Sequence, residues 1–209
     1  GPVLVENDSL GTTYSFHWAG FDMPLERTVD AGFRLAATED FETFRRTVTR
    51  FGALDANWTY ADVHGNIGYQ LGTPVPVRPD SLGILPAPGW DQDYQWLGYR
   101  PLENTPWAYN PQRGWLATCN NKQDSAHISY DLQGYFASDR IMRISSLLRE
   151  KKRFGVEDMK RYQMDQVDMY LLSWRDRLVP LLRKYDHMAA ASRLEKWDGG
   201  TERSSWSTA

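Results

Sequence analysis

Apolar side chains recur at helical spacing in one early segment of the chain. Four of them lie three or four residues apart, namely Phe41, Phe44, Val48 and Phe51. This spacing places them on one face of a helix. Thr38 is a candidate N-cap, and Gly52 suits the position just after the helix, where a left-handed backbone is common. The pattern predicts an amphipathic helix between these two residues.

Three short runs have the composition of strands. Residues 12–18 are rich in aromatic and β-branched side chains, which favour extended structure. Residues 57–62 and 66–71 flank Gly65, and glycine can adopt the positive φ that a tight turn needs. The last two runs are therefore predicted to form a hairpin.

Residues 72–119 contain most of the 11 prolines of the chain, together with many aromatic side chains. Proline interrupts a helix, so this segment is predicted to consist of ordered loops and short strands, one of them at 115–118. Large aromatic rings gain stability when they are buried. The loops are therefore expected to pack onto a body.

Helical spacing returns after Arg140. Leucines and isoleucines form a stripe that ends in the basic residues 151–153, and a second helix is predicted to start near Val156. Pro180 is expected to kink or break the leucine-rich helix around it. The chain is thus predicted to be α+β, a single unit with mixed strands, helices and loops over 1–139, a mainly helical part over 140–198 and a terminal loop.

Composition excludes several classes of protein. Lys and Arg number 24 against 27 Asp and Glu, and the net charge of −3 argues against a strongly basic nucleic-acid binder. The longest stretch without these charged residues, 63–77, is too polar to span a membrane. Cys119 is the single cysteine, which excludes internal disulfides and cysteine-rich zinc sites.

Familiar catalytic motifs are absent. The sequence has no GxSxG elbow, no glycine-rich phosphate loop and no HExxH, and its four histidines show no ligand spacing. One alternative function is a carbohydrate-binding or glycan-processing module, since tryptophans such as Trp90 and Trp96 could stack on sugars. Asp91 and Asp93 are poor glycosidase carboxylates, because two residues of one loop rarely face each other across the roughly 5 to 9.5 Å required. A packed scaffold piece without activity is the other alternative.

A series of short motifs, in a fixed order, carries a family resemblance. The motifs are Asn57-Trp58-Thr59-Tyr60-Ala61-Asp62, Gly65-Asn66-Ile67-Gly68-Tyr69, Pro86-Ala87-Pro88-Gly89, Asn110-Pro111, Asn120-Asn121 and Ser138-Asp139-Arg140-Ile141. In this order they resemble the β-chain of the penicillin acylase family, N-terminal-nucleophile hydrolases that include penicillin amidases, cephalosporin acylases and acyl-homoserine-lactone acylases. The resemblance covers nearly the whole chain and implies part of a four-layer αββα sandwich.

The resemblance also implies a mechanism. Such enzymes cut themselves to expose a serine at the start of the β-chain, and the α-amine of that serine acts as its base, so no histidine is needed. Gly1 has no hydroxyl. The chain is therefore expected to be an internal β-chain fragment of an acyl-amide hydrolase, inactive alone, with the remaining parts of the α- and β-chains as its partners. No catalytic cofactor is implied, and the parent would be periplasmic or secreted.

Four residues match family positions at the site. Asn120, favoured over Asn121, matches the side-chain amide donor of the oxyanion hole, although a plain polar turn is the alternative. Arg140 matches an arginine that orients the site, with an ion pair to Asp139 or another carboxylate as the alternative. Ala56 and Asn57 match the lining of the acyl pocket, where a small alanine would leave room for a longer or bulkier acyl group.

Cys119 stands where the family usually has a tryptophan, beside the scissile carbonyl. A role for Cys119 as nucleophile has little support, because nothing nearby in sequence would lower its pKa. Asp131 matches one ligand of a structural calcium in the full-length enzyme. Calcium takes six to eight oxygens, so tight binding by this chain alone is not expected.

Overall fold

The computed structural model describes residues 1–52, 54–79, 83, 85–123, 128, 130, 132 and 136–202. The chain forms two compact units. Unit 1 comprises Gly1–Leu116 and Gln123–Tyr135, and unit 2 comprises Ala117–Lys122 and Phe136–Ala209. Within the described residues the architecture is α+β, with two small sheets and six α-helices.

Both sheets belong to unit 1 and are antiparallel. Their strands are β1 (Val3–Asn7), β2 (Thr12–Ser15), β3 (Asn57–Ala61), β4 (Ile67–Leu71) and β5 (Trp107–Tyr109). β1 pairs with β2, and the second sheet has the order β3-β4-β5. The predicted hairpin is confirmed as β3 and β4, with Gly65 at a φ of +86° in its turn. The predicted strand at 12–18 ends at Ser15.

Two helices of unit 1 precede this hairpin. α1 spans Leu25–Leu35, and α2 spans Phe41–Val48 and continues as a 3₁₀ turn to Phe51. The predicted helix is confirmed, but the predicted N-cap is wrong. Asp40, in an extended conformation, accepts a hydrogen bond from the Thr43 N–H at 2.7 Å. Thr38 instead donates its hydroxyl to the Leu35 carbonyl at 2.9 Å, where α1 ends.

The core of unit 1 lies between these helices and the three-stranded sheet. Its buried members are Ala31, Phe41, Phe44, Val48 and Phe51. The rings of Phe41 and Tyr109 stack with centroids 4.8 Å apart. Gly68 on β4 lies against Phe41 so closely that a Cβ there would come within 2.2 Å of the ring. The glycine thus lets the sheet approach the helix.

A buried polar chain crosses the same interface. Gln70 on β4 is fully buried and accepts a hydrogen bond from Arg45 Nε on α2 at 2.8 Å. Its amide nitrogen donates to the Thr105 hydroxyl at 2.9 Å, and the guanidinium of Arg45 lies 4.3 Å from the Trp107 ring centroid. These contacts tie α2 and β4 to the loop that leads into β5.

The proline-rich segment has the predicted character. Its described residues form β5, a bridge between Pro76 and Tyr99, and the 3₁₀ turns Gln92–Tyr94 and Leu102–Asn104, without an α-helix. The strand predicted at 115–118 is wrong, because no strand is assigned there. The carbonyl of Trp115 accepts a hydrogen bond from the Arg113 side chain at 2.9 Å. In a paired strand, such a carbonyl would accept from the backbone N–H of a neighbouring strand.

Unit 2 is helical in its described part. Its helices are α3 (Asp139–Arg149), α4 (Val156–Gln163), α5 (Met169–Lys184) and α6 (Met188–Glu195). The predicted stripe after Arg140 and the start at Val156 are confirmed. A break at Pro180 is wrong, because α5 continues through that residue. The adjacent Val179 is buried, so packing holds the helix together where one backbone hydrogen bond is missing.

Polar contacts connect the helices of unit 2. Arg143 on α3 forms a two-pronged ion pair with Asp165, and Arg175 on α5 donates to the Trp197 carbonyl at 3.0 Å. The Trp197 indole donates in turn to the Gly200 carbonyl at 2.8 Å. In the described part of either unit, no helix has the length and apolar character needed to cross a membrane.

Candidate functional site

Three of the predicted site residues lie together in unit 2. Cys119 and Asn120 belong to a loop, and Arg140 belongs to the first turn of α3. Nη2 of Arg140 donates to the Cys119 carbonyl at 2.8 Å and to Oδ1 of Asn120 at 3.0 Å. The N-terminus of α3 therefore holds both the backbone and the side chain of this loop.

Arg140 fixes which way the Asn120 amide faces. A guanidinium can only donate hydrogen bonds, so the amide atom that faces it must be the oxygen. The Nδ2 group then points away from Arg140, and within the described residues it donates to no acceptor. Asn120 is exposed. The arrangement presents an oriented amide donor that none of the described residues accepts from.

The backbone of this loop is unusual at the same residue. Asn120 has a φ of +56°, in the left-handed region that asparagine tolerates better than most residues. Its neighbour Asn121 accepts a hydrogen bond from the Cys119 N–H at 3.0 Å. The two consecutive asparagines therefore differ in their contacts, which the dipeptide alone does not reveal.

The environment of Cys119 opposes a role as nucleophile. The thiol is half-buried, and this burial raises its pKa, while the positive charge of Arg140 opposes the rise only in part. A thiol with a raised pKa carries little of the reactive thiolate near neutral pH.

In the described part of the chain, Arg140 does not make the ion pair that is the alternative interpretation. Among the residues that the structure describes, its hydrogen bonds go to an amide oxygen and a backbone carbonyl, and none goes to a carboxylate. No carboxylate in that part of the chain therefore neutralises the guanidinium at contact distance.

The two candidate pocket residues belong to unit 1. The Ala56 carbonyl accepts a hydrogen bond from the Gly72 N–H at 3.0 Å, just before β3 begins at Asn57. Oδ1 of Asn57 accepts from the Tyr69 hydroxyl, and burial raises the pKa of that phenol above its usual range. Both candidates are partly exposed. Each is thus held at one edge of the hairpin.

The candidate calcium ligand, Asp131, lies outside the described residues. Within the described ranges, no group of three or more histidine, cysteine, aspartate or glutamate side chains is arranged to hold a metal ion.

Comparison with known proteins identifies the family. The model of the penicillin amidase family matches residues 1–209, the whole chain. The chain belongs to this family. It is 33% identical over 159 residues to penicillin G acylase of Escherichia coli, covering 70% of this chain and 18% of that protein. It is 28% identical over 163 residues to the acyl-homoserine lactone acylase QuiP of Pseudomonas aeruginosa, covering 78% of this chain and 19% of the relative.

A solved structure supports the same relationship. The thermostable penicillin G acylase from Alcaligenes faecalis superposes with a TM-score of 0.75 at 28% identity, over 98% of this chain and 38% of that one. The penicillin amidase family member described here spans about a fifth of the length of the two curated relatives above. These relatives are acylases, so the comparisons give no support to the carbohydrate-binding alternative.

Proposed function

We propose that this chain is a segment of an acyl-amide hydrolase that cleaves the C–N bond of a linear amide. Family membership supports this function, and so do the names of the relatives, which describe acylases of penicillin G and of acyl-homoserine lactones. The observation that carries the proposal is the Asn120 amide, which Arg140 orients with its donor group turned outward.

In the proposed reaction the nucleophile is an N-terminal serine that lies outside this chain. Its hydroxyl attacks the amide carbonyl while its own α-amine takes the proton, and the carbonyl oxygen becomes negatively charged. Asn120 Nδ2 donates a hydrogen bond to that oxygen. A donor fixed in advance stabilises the charge without reorganisation, and such donors typically contribute roughly 3 kcal/mol.

Arg140 acts as the residue that orients this site. Its hydrogen bonds to Cys119 and Asn120 hold the loop. Its positive charge would also disfavour protonation of a nearby amine base, which must be neutral to accept the serine proton.

Ala56, Asn57 and Cys119 are proposed to contact the substrate. Ala56 would leave room for a longer or bulkier acyl group. Cys119 replaces the tryptophan that is usual in the family, and its smaller side chain would reshape the wall of the site beside the carbonyl. Parts of the protein outside this chain would supply the remaining contacts to the small-molecule amide.

The wider assignments follow from the family. We propose that the parent enzyme matures by autoproteolysis, is periplasmic or secreted, and completes its αββα sandwich with the remaining parts of its α- and β-chains. The chemistry uses no catalytic cofactor. A calcium ion in the full-length enzyme, with Asp131 as one ligand, would be structural, and no step depends on it.

Replacement of Asn120 in the full-length enzyme tests the proposal. Asn120→Ala should lower kcat by roughly a hundredfold or more with little change in KM, because the lost interaction forms in the transition state. Asn104→Ala, at an exposed position on a 3₁₀ turn of unit 1, is the matched control and should leave kcat unchanged. Normal turnover by Asn120→Ala would remove Asn120 from the site.

Intact-mass measurement of the full-length product tests the proposed maturation. Two chains are expected, one of which begins with serine. A single uncleaved chain with full activity would contradict the N-terminal nucleophile.

A further inference from the structure

The loop of the proposed oxyanion donor is held by a second asparagine. Oδ1 of Asn121 reaches back across Asn120 and accepts a hydrogen bond from the Cys119 N–H at 3.0 Å. The ring closed by this bond contains the backbone torsions of Asn120. The bond therefore restricts the conformation of the residue that carries the donor.

Such a restriction matters at Asn120. Its φ of +56° lies in the left-handed region that most side-chain-bearing residues avoid, although asparagine tolerates it better than most. Without this restriction Asn120 could also adopt negative φ values, and its Cα–Cβ bond would then point in another direction. The Asn120 amide would then lose the contact with Arg140 that orients it.

The Asn121 amide is itself oriented. Its Nδ2 donates to the Lys122 carbonyl at 3.0 Å, while its Oδ1 accepts from the Cys119 N–H. A backbone N–H requires an acceptor and a carbonyl requires a donor, so both contacts select the same orientation of the amide. Side chains thus engage both backbone polar groups of Cys119, with Asn121 at the N–H and Arg140 at the carbonyl.

We infer that Asn121 is a positioning residue for the acyl-transfer reaction, acting through Asn120 by holding it in the left-handed conformation. This inference rests on the proposed function of Asn120. It differs from a direct catalytic role, because the polar atoms of Asn121 that are described above face the protein backbone. It assigns separate tasks to two identical neighbours, with one donating to the substrate and the other shaping the loop.

Kinetics of the full-length enzyme test the inference. Asn121→Ala should lower kcat by about tenfold, the effect of losing one hydrogen bond, with KM nearly unchanged. Asn121→Asp keeps an acceptor for the Cys119 N–H at the same distance along the side chain and should recover most of kcat. Should Asn121→Ala fail to mature, Asn121→Leu, similar in size but without an acceptor, is measured in its place.

A double mutant separates this inference from the proposed function. If Asn121 acts through Asn120, then Asn120→Ala with Asn121→Ala should have the same kcat as Asn120→Ala alone. Fully multiplicative losses, or normal kcat in Asn121→Ala beside an impaired Asn120→Ala, would overturn the inference and leave the proposed function standing. Normal kcat in Asn120→Ala would instead overturn the proposed function.

Discussion

Unit 1 and unit 2 bury their apolar side chains in different ways. Unit 1 has one contiguous core in which α1 and α2 pack against aromatic side chains of the sheet. In the described part of unit 2, the buried apolar residues are spread over several elements, and they are Leu147, Tyr162, Val179, Ala191 and Trp197. Helix α5 exposes an apolar stripe, formed by Tyr170, Trp174, Leu178 and Leu181, and its C-cap Tyr185 is also exposed.

This difference shows what stabilises each unit. Burial of an apolar side chain contributes roughly 1.5 to 3 kcal/mol, so the packed rings of its core should be a large source of stability in unit 1. The buried apolar residues of unit 2 are more dispersed, and ionic contacts such as Arg143 with Asp165 should contribute a larger share there. The candidate donor loop belongs to unit 2, so its geometry depends on polar contacts in the same way.

The largest expected effect comes from emptying the core of unit 1. Phe44 is 6% exposed, and Phe44→Ala should lower the free energy of unfolding by about 3 to 5 kcal/mol, because it leaves a cavity among the rings. Phe33 on α1 is 79% exposed, and Phe33→Ala should change the free energy of unfolding by less than about 0.5 kcal/mol. Urea unfolding measures both. Equal losses in the two variants would show that unit 1 does not depend on this core.

A smaller loss is expected from the polar chain that crosses the same core. Gln70→Leu removes the acceptor of Arg45 Nε and leaves a buried guanidinium short of a partner, at a cost of about 2 to 4 kcal/mol. Gln92→Leu, on an exposed 3₁₀ turn, is the control and should have little effect.

The double variant Arg45→Met with Gln70→Leu decides the mechanism of that loss. Removing the charge as well as its acceptor should restore part of the stability, because no buried charge is then left unpaired. If the two losses simply add, then the hydrogen bond between Arg45 and Gln70 is not the cause.

Local signals were enough to predict several elements. Gly65 marks the hairpin turn, and the spacing of Phe41, Phe44 and Val48 marks α2, since both signals lie within a few neighbouring residues. Helix α1 was missed, although Pro24 followed by Leu25, Val29 and Phe33 at intervals of four gives a helical signal. The N-cap of α2 could not be chosen from sequence, because Thr38 and Asp40 are both good caps and the end of α1 decides between them.

The site shows the same limit. The family resemblance identified Asn120 and Arg140 as candidates, but their direct contact depends on how the loop meets α3. The task of Asn121 was not predicted, because it exists only when Asn120 adopts a positive φ and the next side chain can reach back. Both features are properties of the folded backbone.

Two carboxylates, one in each unit, have lowered pKa values for different reasons. The pKa of Asp62, in the hairpin of unit 1, is lowered to about 2, first by the Asn66 side-chain amide and then by the N–H groups of Asn66 and His64 and the Tyr60 hydroxyl. All of these donors are uncharged. The pKa of Asp165, in unit 2, is lowered chiefly by its hydrogen bonds to Arg143, whose positive charge adds to the effect.

A high salt concentration should therefore distinguish the carboxylate of unit 1 from that of unit 2, whereas a low pH alone does not. A lowered pKa in the folded state means that each carboxylate stabilises the fold above its unfolded pKa of about 3.9, and that this contribution is lost as pH falls through the folded value. For Asp62 the loss should centre near pH 2. Raising the salt to about 1 M shortens the Debye length to about 3 Å. This weakens the attraction of Arg143 for Asp165 only in part, because the pair is in contact and partly buried, and it leaves the neutral hydrogen bonds of Asp62 unchanged.

Carbon NMR titration of the two carboxyl groups measures this difference. In high salt the pKa of Asp165 should rise by a fraction of its lowering while that of Asp62 stays near 2. Asn66→Ala is the complementary change and should raise the pKa of Asp62 at any salt concentration, because it removes the amide that lowers it most. Asp198→Ala, which removes a carboxylate that accepts from the Gly200 N–H, is the control and should leave the pKa of Asp62 unaltered. If salt shifted the pKa of Asp62 and the pKa of Asp165 equally, then ionic contacts would matter equally in the two units. That result would contradict the contrast between the units that their cores suggest.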